Sequence, residues 1–285
     1  MKPESQTLES IWKKNGQRAP HKPLLILYAL GQLVNQGKLR LPYEEVREEL
    51  KALLIEFGPI RKSYHPEEPF VRLARDGFWE VDAAPDLSSP NDKKLLLSHA
   101  SGGFSDAALN LLQSDRALVY ELAHGILEEH FPDTMHEDIL ERVGLTHLVF
   151  KKKPRDPQFR ERILRAYEYC CAVCGFNVRL GNHLVAVEAA HIMWHQAGGP
   201  DKEENGIALC SLHHKLFDRG VFTITANREL LVAEAAHGTR GFDDWLMRYH
   251  GERLRGPVRP EYSPEASFIH WHVREVFRGP ARYLA

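Results

Sequence analysis

The sequence is poor in cysteine and in long apolar runs. Four of its 285 residues are cysteine, too few for a disulfide-built scaffold. The longest apolar run is Leu24–Leu30, far short of the roughly 20 residues that a membrane helix needs. The first ten residues, MKPESQTLES, have no apolar core after a basic start, so they do not read as a secretory signal. A cytoplasmic chain with no membrane partner is expected, and its cysteines then point to metal or inert burial. There is no internal repeat and no low-complexity tract, and 43% apolar with 27% charged residues is ordinary for a globular protein.

The net charge of −2 hides an uneven distribution. Residues 1–40 carry a net +5, residues 41–150 a net −11 and residues 151–285 a net +4. Screening makes such fields local, so both ends of the chain are permitted to meet phosphate.

The segment Lys151-Lys152-Lys153-Pro154-Arg155-Asp156-Pro157 has no apolar residue and two prolines, and reads as an exposed linker. It divides the chain into residues 1–150 and 151–285. The first part is mostly helical by pattern. One helix carries Leu24, Leu25, Leu27, Tyr28 and Leu33, with Pro23 in its first turn and a stop at Asn35-Gln36-Gly37. A second follows Pro42 and stops at Gly58-Pro59. Phe70–Leu73 and Phe78–Val81 flank Arg75-Asp76-Gly77 and predict a hairpin. Two helices are expected over 106–130, capped by Ser105 and Ser114. Helices followed by a hairpin give a winged-helix-like layout. The second part predicts a helix after Asp156, a strand over 184–192, a loop over 193–206, and a strand or turn running into a helix over 207–217. A helical tail is expected over 263–277. The fold class is therefore α+β.

Cys171-Ala172-Val173-Cys174 and Cys210-Ser211-Leu212-His213 are two ligand pairs, each with a two-residue gap. Together they place four N/S donors for tetrahedral coordination, which suits a structural zinc. Cys170 is a rival to Cys171, but only Cys171 has the two-residue gap to Cys174. A redox dithiol is the alternative, and the βαβ context it needs does not precede it.

His191 ends the expected strand, Asn205 lies in the loop, and His214 follows zinc ligand His213 directly. The segments Glu188-Ala189-Ala190-His191-Ile192, Asn205-Gly206-Ile207-Ala208-Leu209-Cys210 and His213-His214-Lys215-Leu216-Phe217-Asp218-Arg219-Gly220 resemble an HNH endonuclease of the ββα-metal fold over about residues 158–230. Phosphodiester hydrolysis needs a base and a divalent metal, Mn²⁺ or Mg²⁺ being chemically apt. The resemblance implies His191 as base, His214 as metal ligand and Asn205 as loop clamp. Many members carry Asp or His directly before the base, where this chain has Ala190. Asp218, one turn beyond His214, and then Glu188, which strand alternation turns away from His191, are the carboxylates available to complete the metal shell. Arg160, Arg162, Arg165, Lys215 and Arg219 are candidate phosphate contacts.

In the first part, Arg18-Ala19-Pro20-His21-Lys22-Pro23-Leu24-Leu25, Tyr64-His65-Pro66-Glu67-Glu68-Pro69-Phe70-Val71-Arg72-Leu73, Asp76-Gly77-Phe78-Trp79 and Ser101-Gly102-Gly103-Phe104 are similar to the sulfur-binding domain of phosphorothioate-dependent restriction endonucleases. That resemblance implies an apolar cup for a phosphorothioate sulfur, made by Tyr64, His65 and Pro66. Arg18, His21 and Lys22 would supply charge, and Ser101, Gly102 and Gly103 a close backbone approach to DNA. The expected partner is double-stranded DNA carrying the modification, cut by a homodimer whose apolar tail (Phe268, Ile269, Trp271, Phe277) offers a surface. The competing readings are an HNH nuclease for unmodified or base-modified DNA, and a catalytically silent zinc DNA-binding protein.

Overall fold

The computed structural model describes residues 19–82, 89–146 and 157–283. Arg18, the linker residues 151–156 and the Asp156 cap lie outside them. The chain forms two compact units, Met1–Phe150 and Lys151–Ala285. Among the described residues, no helix is long and apolar enough to cross a membrane.

The first unit is built around α1 (His21–Gln36), whose residues Leu24–Leu30 are all buried. A helix that is apolar all round must be covered all round. Here α2 (Tyr43–Phe57), α3 (Glu67–Arg72), α6 (Arg116–His130) and α7 (Asp133–Val143) cover it. Gly37 ends α1 in the left-handed conformation, φ 63°.

The expected hairpin is not formed. Phe70–Arg72 end α3, and Leu73–Asp76 continue as a 3₁₀ turn. Phe70, Val71 and Leu73 are all buried, which alternation in a half-exposed strand does not permit. Glu67 and Glu68 in the first turn also favour a helix through its dipole. The second arm does extend, as β2 (Trp79–Asp82), but its partner is β3 (Ser101–Phe104). With β1 (Leu41–Pro42) these make a three-stranded antiparallel sheet of order β1-β3-β2, and α4 (Asp92–Leu97) lies between β2 and β3 in sequence. Ser105 caps α5 (Asp106–Ser114), its Oγ accepting from the Ala108 amide. The next cap is Asp115 rather than Ser114: its carboxylate accepts from the Ala117 amide at 2.8 Å.

The second unit opens with α8 (Pro157–Ala166), which packs on an antiparallel pair, β6 (Val187–His191) and β7 (Gly206–Cys210). The register runs from Val187 opposite Cys210 to His191 opposite Gly206. The strand is shorter than expected because Ala186 turns left-handed, φ 56°. His183 and Leu184 pair instead with Arg179 and Leu180, as β5 and β4. From Cys210 the chain enters α9 (Ser211–Asp218), which folds back on β7 and β6 to complete a β-β-α unit. A further pair follows, β8 (Phe222–Ile224) with β9 (Leu230–Val232), then α10 (Arg240–Trp245) and α11 (Ala266–Glu275). The tail uses its apolar residues internally. Ile269, Trp271 and Phe277 are buried, and Trp271 meets Trp194 edge to face at 5.8 Å.

Candidate functional site

The β-β-α unit brings one metal-ligating group together. Cys171, Cys174, Cys210 and His213 place one donor atom each within 4.8 Å of one another. Cys174 and Cys210 sulfurs are 3.9 Å apart, and Cys171 Sγ lies 3.6 Å from His213 Nδ1. Tetrahedral zinc, with bonds of about 2.3 Å to sulfur and about 2.0 Å to nitrogen, would set these separations near 3.8 and 3.6 Å. The His213 Nε2–H donates to the Trp245 carbonyl at 2.8 Å, which leaves the Nδ1 lone pair aimed at the sulfurs. Hydrogen bonds within the group lower the Cys171 thiol and raise that of Cys210, so these sulfurs share their protons and Cys171 is the first to be a thiolate. Cys170 takes no part in the group; its thiol donates to the Glu168 carbonyl.

The expected nuclease residues divide between the two faces of β6. His191 is its last residue, with a side chain 10% exposed. Its ring stacks on Phe159 of α8, centroids 4.1 Å apart and planes within 13°. Its Nε2 lies 2.7 Å from Asp201 Oδ1. Asn205 is fully buried. Its Oδ1 accepts from the Met193 amide at 2.8 Å, and its Nδ2 donates to the carbonyls of Met193 and Pro200 at 2.9 and 3.0 Å. The loop between β6 and β7 is thereby closed on its own backbone.

On the opposite face, Glu188 reaches α9. Its Oε2 lies 2.6 Å from His214 Nδ1, while Asp218 Oδ2 lies 3.2 Å from His214 Nε2. Burial lowers the proton affinity of this imidazole, but the charges and hydrogen bonds of Asp218 and Glu188 outweigh it and raise its pKa to about 9. Each ring nitrogen of His214 thus faces a carboxylate. The two carboxylates sit at opposite ring nitrogens, so Glu188, His214 and Asp218 do not converge on one point. Asp218 is 2% exposed and Glu188 43%.

Of the candidate phosphate contacts, Arg160 donates to the Val187 carbonyl, and Arg162 donates to the Asp201 carbonyl and pairs with Glu203. Arg165 faces solvent beside Glu161, and Lys215 is exposed on α9. Arg219, just after α9, is half-buried.

In the first unit, the Pro20–Lys22 end of α1 lies beside the 61–65 loop. Burial, and then the nearby Arg61 guanidinium and His65 ring, hold the His21 imidazole below its ordinary value. His21 is therefore neutral near pH 7 and offers hydrogen bonding rather than charge. Lys22 is tied to Asp76 at 2.5 Å. Tyr64 is half-buried, its hydroxyl donating to the Pro59 carbonyl at 3.4 Å. His65 is exposed, held by Ser63 and Glu67. Pro66 is buried at the start of α3.

Gly102 and Gly103 correct the sequence reading. They lie in the central strand of the sheet and are buried. A Cβ on Gly102 would meet Phe70 at 2.8 Å and Trp79 at 3.1 Å, and one on Gly103 would meet the Leu39 carbonyl oxygen at 2.1 Å. Their bareness serves the interior of the unit. Ser101 donates to Asp82 at 3.0 Å.

Sequence reasoning missed Asp201 and Phe159 beside His191. Phe159 had a signal, since Phe159, Ile163, Ala166 and Tyr167 recur at helical spacing along α8, whereas Asp201 sits in a Gly- and Pro-rich loop with no period.

No curated protein is significantly similar to the chain in sequence. A family model described as ScoMcrA-like, DNA sulfur-binding domain matches residues 6–148. Another, described as HNH endonuclease, matches residues 171–225. Among solved structures, the sulfur binding domain of ScoMcrA complexed with phosphorothioated DNA is 25% identical over 51% of this chain and 97% of that one, with a TM-score of 0.43. The sulfur binding domain of SprMcrA complexed with phosphorothioated DNA is 19% identical over 51% and 94%, with a TM-score of 0.44. The Type IV phosphorothioation-dependent restriction endonuclease ScoMcrA is 24% identical over 46% of this chain and 30% of that one, with a TM-score of 0.38.

Proposed function

Because the chain belongs to the ScoMcrA-like DNA sulfur-binding domain family and also carries an HNH endonuclease domain, we propose that it is a restriction endonuclease directed by DNA modification. Residues 1–150 read phosphorothioated duplex DNA, and residues 151–285 hydrolyse phosphodiester bonds near it. The observation that carries this reading is the succession of the two family matches, one within each compact unit.

His191 is the general base. Its imidazole takes the proton of the attacking water, and Asn205 keeps the 193–200 loop closed around it. A divalent metal, Mn²⁺ or Mg²⁺, supplies charge neutralisation on the phosphate and the leaving oxygen when bound. His214 and Glu188 would hold it on the α9 side of β6, once His214 Nδ1 gives up its proton and their mutual hydrogen bond opens, with the phosphate reaching from there to His191 at the end of the strand. Asp218, buried behind the ring, orients His214 through Nε2, a pattern common behind metal-bound histidines. This reverses the preference for Asp218 over Glu188 as a ligand. The Cys171, Cys174, Cys210 and His213 group binds zinc and stabilises the unit.

In the first unit, Tyr64, His65 and Pro66 supply the apolar cup for sulfur. Sulfur is larger and more weakly hydrated than oxygen, so desolvating it there is worth about 1–3 kcal/mol. A charge contact alone would bind both kinds of DNA and fall with salt. We also infer a homodimer, because cutting both strands calls for two sites or repeated turnover; a monomer mass during double-strand cleavage would remove it.

The test uses the full chain as its His191→Ala variant, titrated onto paired duplexes with and without one phosphorothioate at two salt concentrations. A preference of roughly five- to 150-fold that persists as salt rises, and that Tyr64→Ala erases, is expected. Equal affinity for the two duplexes would leave a nuclease for ordinary or base-modified DNA. Wild-type chain with Mn²⁺ should cut the modified duplex and His191→Ala should not.

A further inference from the structure

We infer that Asp201 is the positioning residue for His191, and that Asn205 acts on the base through it. The inference rests on His191 as the general base. A carboxylate only accepts, so the 2.7 Å contact places a hydrogen on His191 Nε2 and leaves the lone pair on Nδ1. That is the tautomer in which Nδ1 is the proton acceptor. The stacked Phe159 ring fixes the plane of the imidazole.

Asp201 is itself held on both sides. The carbonyl before it, of Pro200, accepts from Asn205 Nδ2 at 3.0 Å. Its own carbonyl accepts from Arg162 at 2.8 Å, and Arg162 is steadied by Glu203 at 3.1 Å. The buried asparagine therefore sets the loop, the loop sets the carboxylate, and the carboxylate sets the ring. Among the described residues, His195 of the same loop also lies near the ring, centroids 6.0 Å apart, and Arg160 and Arg162 of α8 bond to the backbone carbonyls of Val187 and Asp201. Asp201 is a carboxylate in hydrogen-bond contact with the ring. Its negative charge favours the imidazolium that forms when His191 takes a proton.

The test compares wild type with Asp201→Asn and Asp201→Glu. The His191 imidazole is titrated by NMR, its resonances assigned by their loss in His191→Ala, and cleavage of phosphorothioated duplex is followed against pH. Asp201→Asn should lower the His191 pKa by about one unit or more. The acid limb of the cleavage profile should move with it, and kcat should fall about 100-fold with KM unchanged. Asp201→Glu should restore part of both. An unmoved His191 titration in Asp201→Asn overturns the inference, whatever happens to cleavage. So does a variant whose sole change is a weaker Mn²⁺ requirement curve, since Asp201 would then be a metal ligand. A lowered His191 pKa in a chain that never cuts DNA would sink the nuclease reading and leave the Asp201–His191 coupling standing.

Discussion

Replacing Asn205 with alanine removes three hydrogen bonds from a fully buried residue. At a net value of about 1 kcal/mol each, the loop between β6 and β7 should lose about 3 kcal/mol of local stability. That is roughly a 150-fold shift in the opening equilibrium. Hydrogen exchange reads it directly, because the Met193 amide is bonded to Asn205 Oδ1 and becomes unprotected in the variant. Asn205→Asp is a sharper test. It sets a carboxylate oxygen where Nδ2 stood, 2.9 and 3.0 Å from two carbonyl oxygens, and buries a charge. It should open the loop more than alanine does, despite its near-identical shape. Exchange at Met193 within threefold of wild type in the alanine variant, with cleavage lost, would refute the clamp and make Asn205 a direct participant in the chemistry.

Metal analysis of protein purified without chelator should give about one zinc per chain, lost in Cys171→Ser and retained in Cys170→Ser. Zinc that survives the first change and not the second would reassign the ligand. Gly103→Ala should lower the melting temperature of the first unit, by a stability loss of about 1–3 kcal/mol, because the new methyl meets backbone rather than a movable side chain. An unchanged melt with lost DNA binding would return Gly103 to the DNA surface. His21, whose pKa is lowered, binds fewer protons folded than unfolded between its depressed value and about 6.5. The first unit should therefore lose stability as pH falls through that window and show none of this loss above it. His21→Gln should flatten the slope in a pH series of denaturant melts, and an unflattened slope would acquit His21.

The parts of the fold legible in the sequence are those set by short spacings. The C-x-x-C and C-x-x-H pairs named all four donors, because two intervening residues already fix each pair. The α1 and α2 helices followed from their apolar periods and from the stops at Gly37 and Gly58. Phe70–Leu73 was ambiguous, since four residues with one polar position fit either period. What decided it was tertiary: Val71 is needed in the core as well as Phe70 and Leu73, and only a helix turns all three inward.

The candidate site was legible as a set of residue types and not as a set of neighbours. Helical spacing alone brings Asp218 to His214, four residues apart on α9. Nothing local brings Glu188 there, because that contact depends on how α9 folds back over β6. Alternation along β6 then has a consequence for His191. A residue three positions from Glu188 must leave by the other face, so its orienting carboxylate cannot come from α9 and comes instead from the loop that β7 closes. That loop is held by a buried asparagine whose partners are all backbone groups. Other side chains of the loop can therefore vary without loosening the base, provided Asn205, a carboxylate at position 201 and the Glu203 that steadies Arg162 remain. The same argument explains why the glycines of 101–104 misled. A bare strand serves a ligand or an aromatic neighbour equally well, and Phe70 and Trp79, distant in sequence from Gly102, are what claim the space.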